Sequence, residues 1–166
     1  MKKILVVYYS RTGMTKKLAN SIANLLFADI EEIVDTKNRS GLMWYLGAGR
    51  DAALKKETII EKSIYDPSTY DIVCIWTPVR DFAMSSAIRT YLKRHEEKFP
   101  ASLVFFCTQA RSWAEITFHE MGNAIAKTPI MTITYTSKDM QRNAYQESLK
   151  QQLIAFWLFS NENDSL

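Results

Sequence analysis

The sequence predicts an α/β fold built on a parallel, doubly wound sheet, and three observations predict it. Five short apolar segments alternate with segments of helical spacing along the 166 residues, which is the pattern of successive βαβ units. The three most apolar segments, residues 3–9, 70–76 and 102–108, are continuous and rich in β-branched and aromatic side chains, as strands covered on both faces are. Each of these three is followed by a short loop carrying hydroxyls or amides, at residues 10–15, 77–83 and 108–113.

Residues 3–9 read as a first buried strand and residues 14–26 as its helix, with Leu18, Ala19, Ile22, Ala23, Leu25 and Leu26 marking the 3.6-residue period. Residues 28–33 form a shorter, more polar strand suited to a sheet edge, and residues 35–41 a polar loop. Residues 42–56 have helical spacing but contain Gly47 and Gly49, each worth about 1 kcal/mol against a helix relative to alanine. Asp66-Pro67-Ser68 signals a turn. The strand over 70–76 is expected to stop at Thr77-Pro78, because proline has no N–H for the ladder. A helix follows over 84–97, closed by the charged run 93–98 and ended by Pro100; the strand over 102–108 comes next. A helix over 113–126, a fifth strand from Pro129 through Thr134 and an amphipathic helix over 141–158 complete the pattern. Right-handed crossovers then place helices on both faces of the sheet. Ligands of such sheets bind at the carboxyl ends of the strands, where strand order reverses.

Length and composition bound the function. One domain over 1–159 with a polar tail at 160–166 fits the size. No run approaches the roughly 20 apolar residues of a membrane span, and the apolar stretch after Met1-Lys2-Lys3 is too short for a signal peptide. Cys74 and Cys107 sit inside apolar strands, as buried reduced thiols do, so a cytoplasmic location is expected. The net charge is +3, with basic residues dispersed along the chain. No basic stripe interleaves with aromatics, which argues against nucleic acid. His119 has no second ligand at metal spacing and His95 reads as a solvated member of the charged run. Trp44, Tyr45 and Trp157 read as packing residues.

The chemistry-bearing stretch is Tyr8-Tyr9-Ser10-Arg11-Thr12-Gly13-Met14-Thr15. Three hydroxyls and the N–H groups that open a helix form a concave donor set of the kind a phosphate needs. Gly13 provides a position without Cβ, where the backbone can turn tightly or touch a ligand. An ordinary βα turn with a hydroxyl cap fits the same residues, so this turn alone does not decide the function.

Three stretches together carry a resemblance: residues 8–19, residues 70–79 with 84–92, and Phe105-Phe106-Cys107-Thr108 with the helix after it. They resemble the flavodoxin-like family, specifically its short bacterial members, over residues 3–136. The resemblance implies a three-layer fold with a five-stranded sheet of order 2-1-3-4-5 and noncovalent binding of FMN. It implies that Ser10, Arg11, Thr12, Gly13, Met14 and Thr15 hold the phosphate. Thr77, Pro78, Val79, Arg80, Asp81 and Phe82 would line the ribityl chain and one side of the ring. Thr108, Gln109, Ala110, Arg111 and Trp113 would cover its pyrimidine end. The flavin would supply the redox chemistry, as an oxidoreductase or electron-transfer protein, with a small-molecule acceptor or a redox protein as partner and a monomer or homodimer as assembly.

The sequence departs from the family pattern on the ring side. Trp76 stands where glycine is common, Arg80 where a stacking tryptophan is usual, and Gln109-Ala110-Arg111 where a glycine pair is expected. Two readings stay open: a flavoprotein with an altered ring site, or a flavodoxin-like domain that has lost flavin and acts as a ligand-binding or interaction module. The mild positive charge departs from acidic electron shuttles and weighs toward small-substrate reduction.

Overall fold

The structure, a computed structural model, describes residues 2–36, 57–79, 83–109, 113–136, 138–139 and 147–153. Strand β1 (Ile4–Tyr8) leads into helix α1 (Met14–Leu26) and strand β2 (Asp29–Glu32). Then come β3 (Ile72–Pro78), α2 (Ser86–Arg94), β4 (Ser102–Gln109), α3 (Ala114–Ala124) and β5 (Met131–Thr136). All pairings are parallel and the order is β2-β1-β3-β4-β5. The order reverses between β1 and β3, so their carboxyl ends open the crevice where ligands of this architecture bind.

Alternation along each strand divides the core between two faces. On one face, Ile4, Val6, Trp76, Phe106 and Ile133 pack against Leu18 and Ile22 of α1 and against Leu149 and Leu153 of the helical residues 147–153. On the other, Leu5, Val7, Val73, Ile75, Leu103 and Phe105 pack against Ile88, Tyr91 and Leu92 of α2 and against Phe118 and Met121 of α3. The central strands β1, β3 and β4 are buried almost throughout, while β2 and β5 alternate as edges do.

Two expectations, the start of the fifth strand and the solvation of His95, are corrected. The strand expected to stop at Thr77-Pro78 does end at Pro78, which still pairs with Thr108. Its neighbour β1 has already ended, opposite Trp76. Val79 N–H bonds Thr108 O at 2.8 Å on the β4 side, so the donor that Pro78 lacks would have pointed to the side with no strand left to pair. The fifth strand begins at Met131, two residues after Pro129, and extends to Thr136. Finally, His95 is buried, lies tilted against Tyr91 at 4.7 Å between ring centroids and bonds Ser63 Oγ through Nε2 at 3.0 Å. The charged neighbours Lys93 and Lys98 do remain exposed, paired with Glu57 and Asp66.

The expected helix over 42–56 with Trp44, Tyr45, Gly47 and Gly49, most of the polar loop at 35–41, much of the closing helix over 141–158 with Trp157, and the tail at 160–166 lie outside the described residues. Among the described residues no helix is long and apolar enough to cross a membrane. No group of His, Cys, Asp and Glu among them could hold a metal ion.

Candidate functional site

The turn from β1 into α1 is built by backbone conformation. Gly13 is the N-cap residue, at φ +82° in the left-handed region that L side chains rarely adopt. A Cβ placed there would meet nothing within 4 Å, so the glycine borders open space. The cap makes no side-chain hydrogen bond and the first turn holds no acidic residue. The N–H groups of Gly13, Met14 and Thr15 precede the first intrahelical bond, Lys17 N–H to Gly13 O at 3.1 Å, and have no carbonyl of the helix to meet. Ser10 Oγ accepts the Lys16 N–H at 3.2 Å, which leaves its own proton to donate outward. The helix dipole adds a partial positive charge at the same point.

Thr108 ties this turn to the other strand ends. Its Oγ1 lies 3.2 Å from Thr15 Oγ1, both buried, and its carbonyl accepts the Val79 N–H. Two hydroxyls that share one hydrogen bond keep one proton between them for a third group. Residues far apart in the chain, on α1, β3 and β4, thereby meet at one point above the sheet.

The β3 exit is arranged differently. Thr77 is fully buried, and its Oγ1 accepts the Ser85 N–H at 3.0 Å. Ser85 Oγ accepts the Ile88 N–H at 3.3 Å and so caps α2. Met84 N–H is held by Glu120 Oε2 of α3 at 3.0 Å. Glu120 Oε1 lies 2.9 Å from Arg89 Nη2 of α2, with side chains only 11% and 5% exposed. At the β4 exit, Gln109 Oε1 accepts the Trp113 N–H at 2.8 Å and closes that connection at its base.

The flavodoxin family model matches residues 3–152. The chain belongs to the flavodoxin family. Solved structures agree on the fold. A flavoprotein from Lactobacillus acidophilus NCFM, in complex with FMN, has a TM-score of 0.71 at 20% identity, with 86% of this chain and 98% of that one covered. A candidate flavoprotein from Bacteroides uniformis ATCC 8492 has a TM-score of 0.72 at 20% identity over 92% of this chain and 97% of that one. Another from Bacteroides eggerthii DSM 20697 has a TM-score of 0.68 at 19% identity, covering 86% and 95%. Among curated proteins no relative matches the chain.

Within this flavodoxin-family chain, the structure brings Ser10, Gly13, Met14 and Thr15 together with Thr108, Val79 and the end of β3. Thr12 is exposed, while Arg11, Gly13 and Met14 are half-buried. Arg80, Asp81, Phe82, Ala110 and Arg111 lie outside the described residues. Trp76, one of the departures from the family pattern, is fully buried and stacks on Phe106 at 4.8 Å and 20° between planes, on the α1 side of the sheet.

Sequence reasoning missed two clusters. One is the Arg89–Glu120–Met84 connection; its local signal was Arg89 lying next to Ile88 within the helical pattern of 84–92. The other is Glu32, whose Oε2 accepts from Tyr8 OH at 2.9 Å and from Lys16 Nζ at 2.7 Å beside the first turn. Burial, and then the Glu32 carboxylate, push the Tyr8 hydroxyl well above its ordinary value, so it stays a donor. Burial pushes the thiols of Cys74 and Cys107 up to about 12 and about 11, which leaves neither as a thiolate near neutrality.

Proposed function

We propose that the protein binds FMN and works as an oxidoreductase or electron-transfer protein, passing electrons or hydride to a small acceptor or a redox partner. The observation that carries this is the first turn: left-handed Gly13 beside open space, three helix-opening N–H groups and the Ser10 and Thr15–Thr108 hydroxyls, with no acid in the first turn of α1. This donor set fits a phosphate dianion, because the first turn of α1 offers N–H and hydroxyl donors and contributes no carboxylate of its own. The FMN complex of the Lactobacillus acidophilus flavoprotein on the same fold supports the same ligand.

Residues 10–15 would hold the phosphate, and the described ends of the β3 and β4 exits, Thr77 to Val79 and Thr108 to Gln109 with Trp113, would flank the ribityl chain and the ring. Bound FMN supplies a ring whose N5 takes up and releases electrons or hydride. The chain's own part is to grip the phosphate, fix the ring between two strand exits and exclude water. No side-chain nucleophile is called for. The net charge of +3 lacks the acidic surface that steers electron shuttles to basic partners, which favours a small acceptor.

Titrating the purified protein with FMN while following flavin fluorescence tests the reading. Saturable quenching is expected. A colourless protein that binds phosphate but gives no saturable change with FMN would replace it with the flavin-free ligand-binding alternative.

A further inference from the structure

We infer that Glu120 is a positioning residue for the ring side of the site, with Arg89 as the partner that holds it in place. The inference rests on the FMN reading for its consequence but not for its geometry. The connection from β3 to α2 is pinned at both described ends. At its start, Val79 N–H bonds Thr108 O at 2.8 Å. At its return, Met84 N–H bonds Glu120 Oε2 at 3.0 Å, and Met84 itself is fully buried. Glu120 sits on α3, the helix that follows the other ring-side exit, and Arg89 sits on α2. One carboxylate therefore links the two helices whose preceding connections would embrace the flavin ring.

The pair is an unusual choice for stability alone. The other ion pairs between described residues have side chains 33–53% exposed, against 5% and 11% here. Arg89 Nε and Nη2 are buried without a well-aligned hydrogen bond. Charges taken out of water in such geometry are stabilised less than apolar residues of the same size would be. What apolar residues could not do is accept the Met84 N–H. That acceptor is the function the geometry assigns to Glu120; the guanidinium neutralises the charge that the acceptor brings into the core.

The test separates position from stability. In Glu120→Gln an acceptor oxygen remains, and the Met84 amide is expected to exchange with solvent within threefold of the wild-type rate. In the double variant Arg89→Met with Glu120→Met, the charges and the acceptor both go. It is expected to melt no lower than the wild type, yet its Met84 amide should exchange at least tenfold faster. FMN should bind it at least tenfold more weakly, while inorganic phosphate binds within twofold of the wild type. Amide exchange is read in the protein without flavin, so a wild type that fails to bind FMN sinks the proposed function and leaves this result standing. Unchanged Met84 exchange in the double variant would overturn the inference. So would acceleration spread evenly over α2 and α3, or FMN and phosphate weakening together.

Discussion

Two turns at the same edge of the sheet, one after β1 and one after β3, feed helices of similar role and are built on opposite plans. The first has a left-handed glycine for its cap, no hydrogen bond from that cap's side chain, and open space beside it. The second has Ser85 capping α2, Thr77 holding Ser85, and Glu120 holding Met84, so that the N–H groups of Met84, Ser85 and Ile88 are engaged within the protein. A helix N-terminus whose cap borders open space can receive an external anion. One whose cap residue is held by other side chains serves as support. The contrast supports the proposal that residues 10–15 take the phosphate, while Thr77, Met84 and Ser85 serve to hold the start of α2 in place.

The severest way to break this assignment is at Trp76, which leads into the second turn. If the second turn is scaffold, Trp76 is core and not a ring contact. Trp76→Ala is expected to cost about 3–5 kcal/mol of unfolding free energy in a urea titration, the range for a buried aromatic lost from a packed interior. Trp76→Phe should cost far less, because it keeps the face against Phe106 and removes an Nε1 that is buried without a partner. FMN affinity of Trp76→Phe should match the wild type; a tenfold loss would place the indole in the site.

Gly13 tests the other half. Gly13→Val introduces a side chain at φ +82°, costing roughly 1–2 kcal/mol of stability for the left-handed conformation. Because the Cβ enters open space beside the donor set, FMN affinity should fall at least tenfold. A variant that loses stability but binds FMN normally would show that the open space is not where the phosphate goes.

Exchanging hydroxyls between the two turns sharpens the contrast further. Ser85→Ala should lower stability by about 1 kcal/mol, as loss of an N-cap does, with FMN affinity unchanged. Ser10→Ala should reverse the balance. It removes a hydroxyl that donates to a dianion, an interaction worth about 1.5–3 kcal/mol and so roughly ten- to hundredfold in affinity. The cost in stability should be smaller than at Ser85. Fluorescence titration and thermal melting on the same two proteins decide it.

What the sequence disclosed follows the same division. The β1 strand, α1 and β4 fall within a residue or so of their expected bounds, because hydrophobic period and a glycine at the turn are local signals. Gly13 and Ser10 were legible for the same reason. The Thr15–Thr108 contact spans 93 positions and the Met84–Glu120 contact 36; nothing in either neighbourhood names its partner. Pro78 ends its strand as expected yet still pairs with β4, because the rule that excludes proline from central strands assumes a neighbour on both sides, and β1 ends two residues too early for that. His95 was misjudged because its charged sequence neighbours point outward while its own ring turns in against Tyr91.

The far end of α2 supplies the smallest effect and the control for both turns. Burial first, and then the nearby Lys98 and Arg94, push the His95 imidazole below its ordinary value of 6.5, with Asp66 opposing them. The folded protein therefore binds this proton less readily than the unfolded chain. The neutral ring's contribution is complete above pH 6.5 and is lost as the pH falls from there toward the folded value. Glu31, raised above its ordinary 4.5 by burial despite the Ile64 N–H it accepts, runs the other way: its contribution is complete below 4.5 and is lost as the pH rises. With Glu31 common to both proteins, unfolding midpoints measured from pH 5 to 8 should drop more on the acid side in the wild type than in His95→Gln, whose amide can keep the Ser63 bond without taking up a proton. Because His95 closes α2 at the end opposite Ser85, FMN affinity should be the same in both proteins across this range. A change there would mean that the capped turn transmits to the site what happens at the helix's other end.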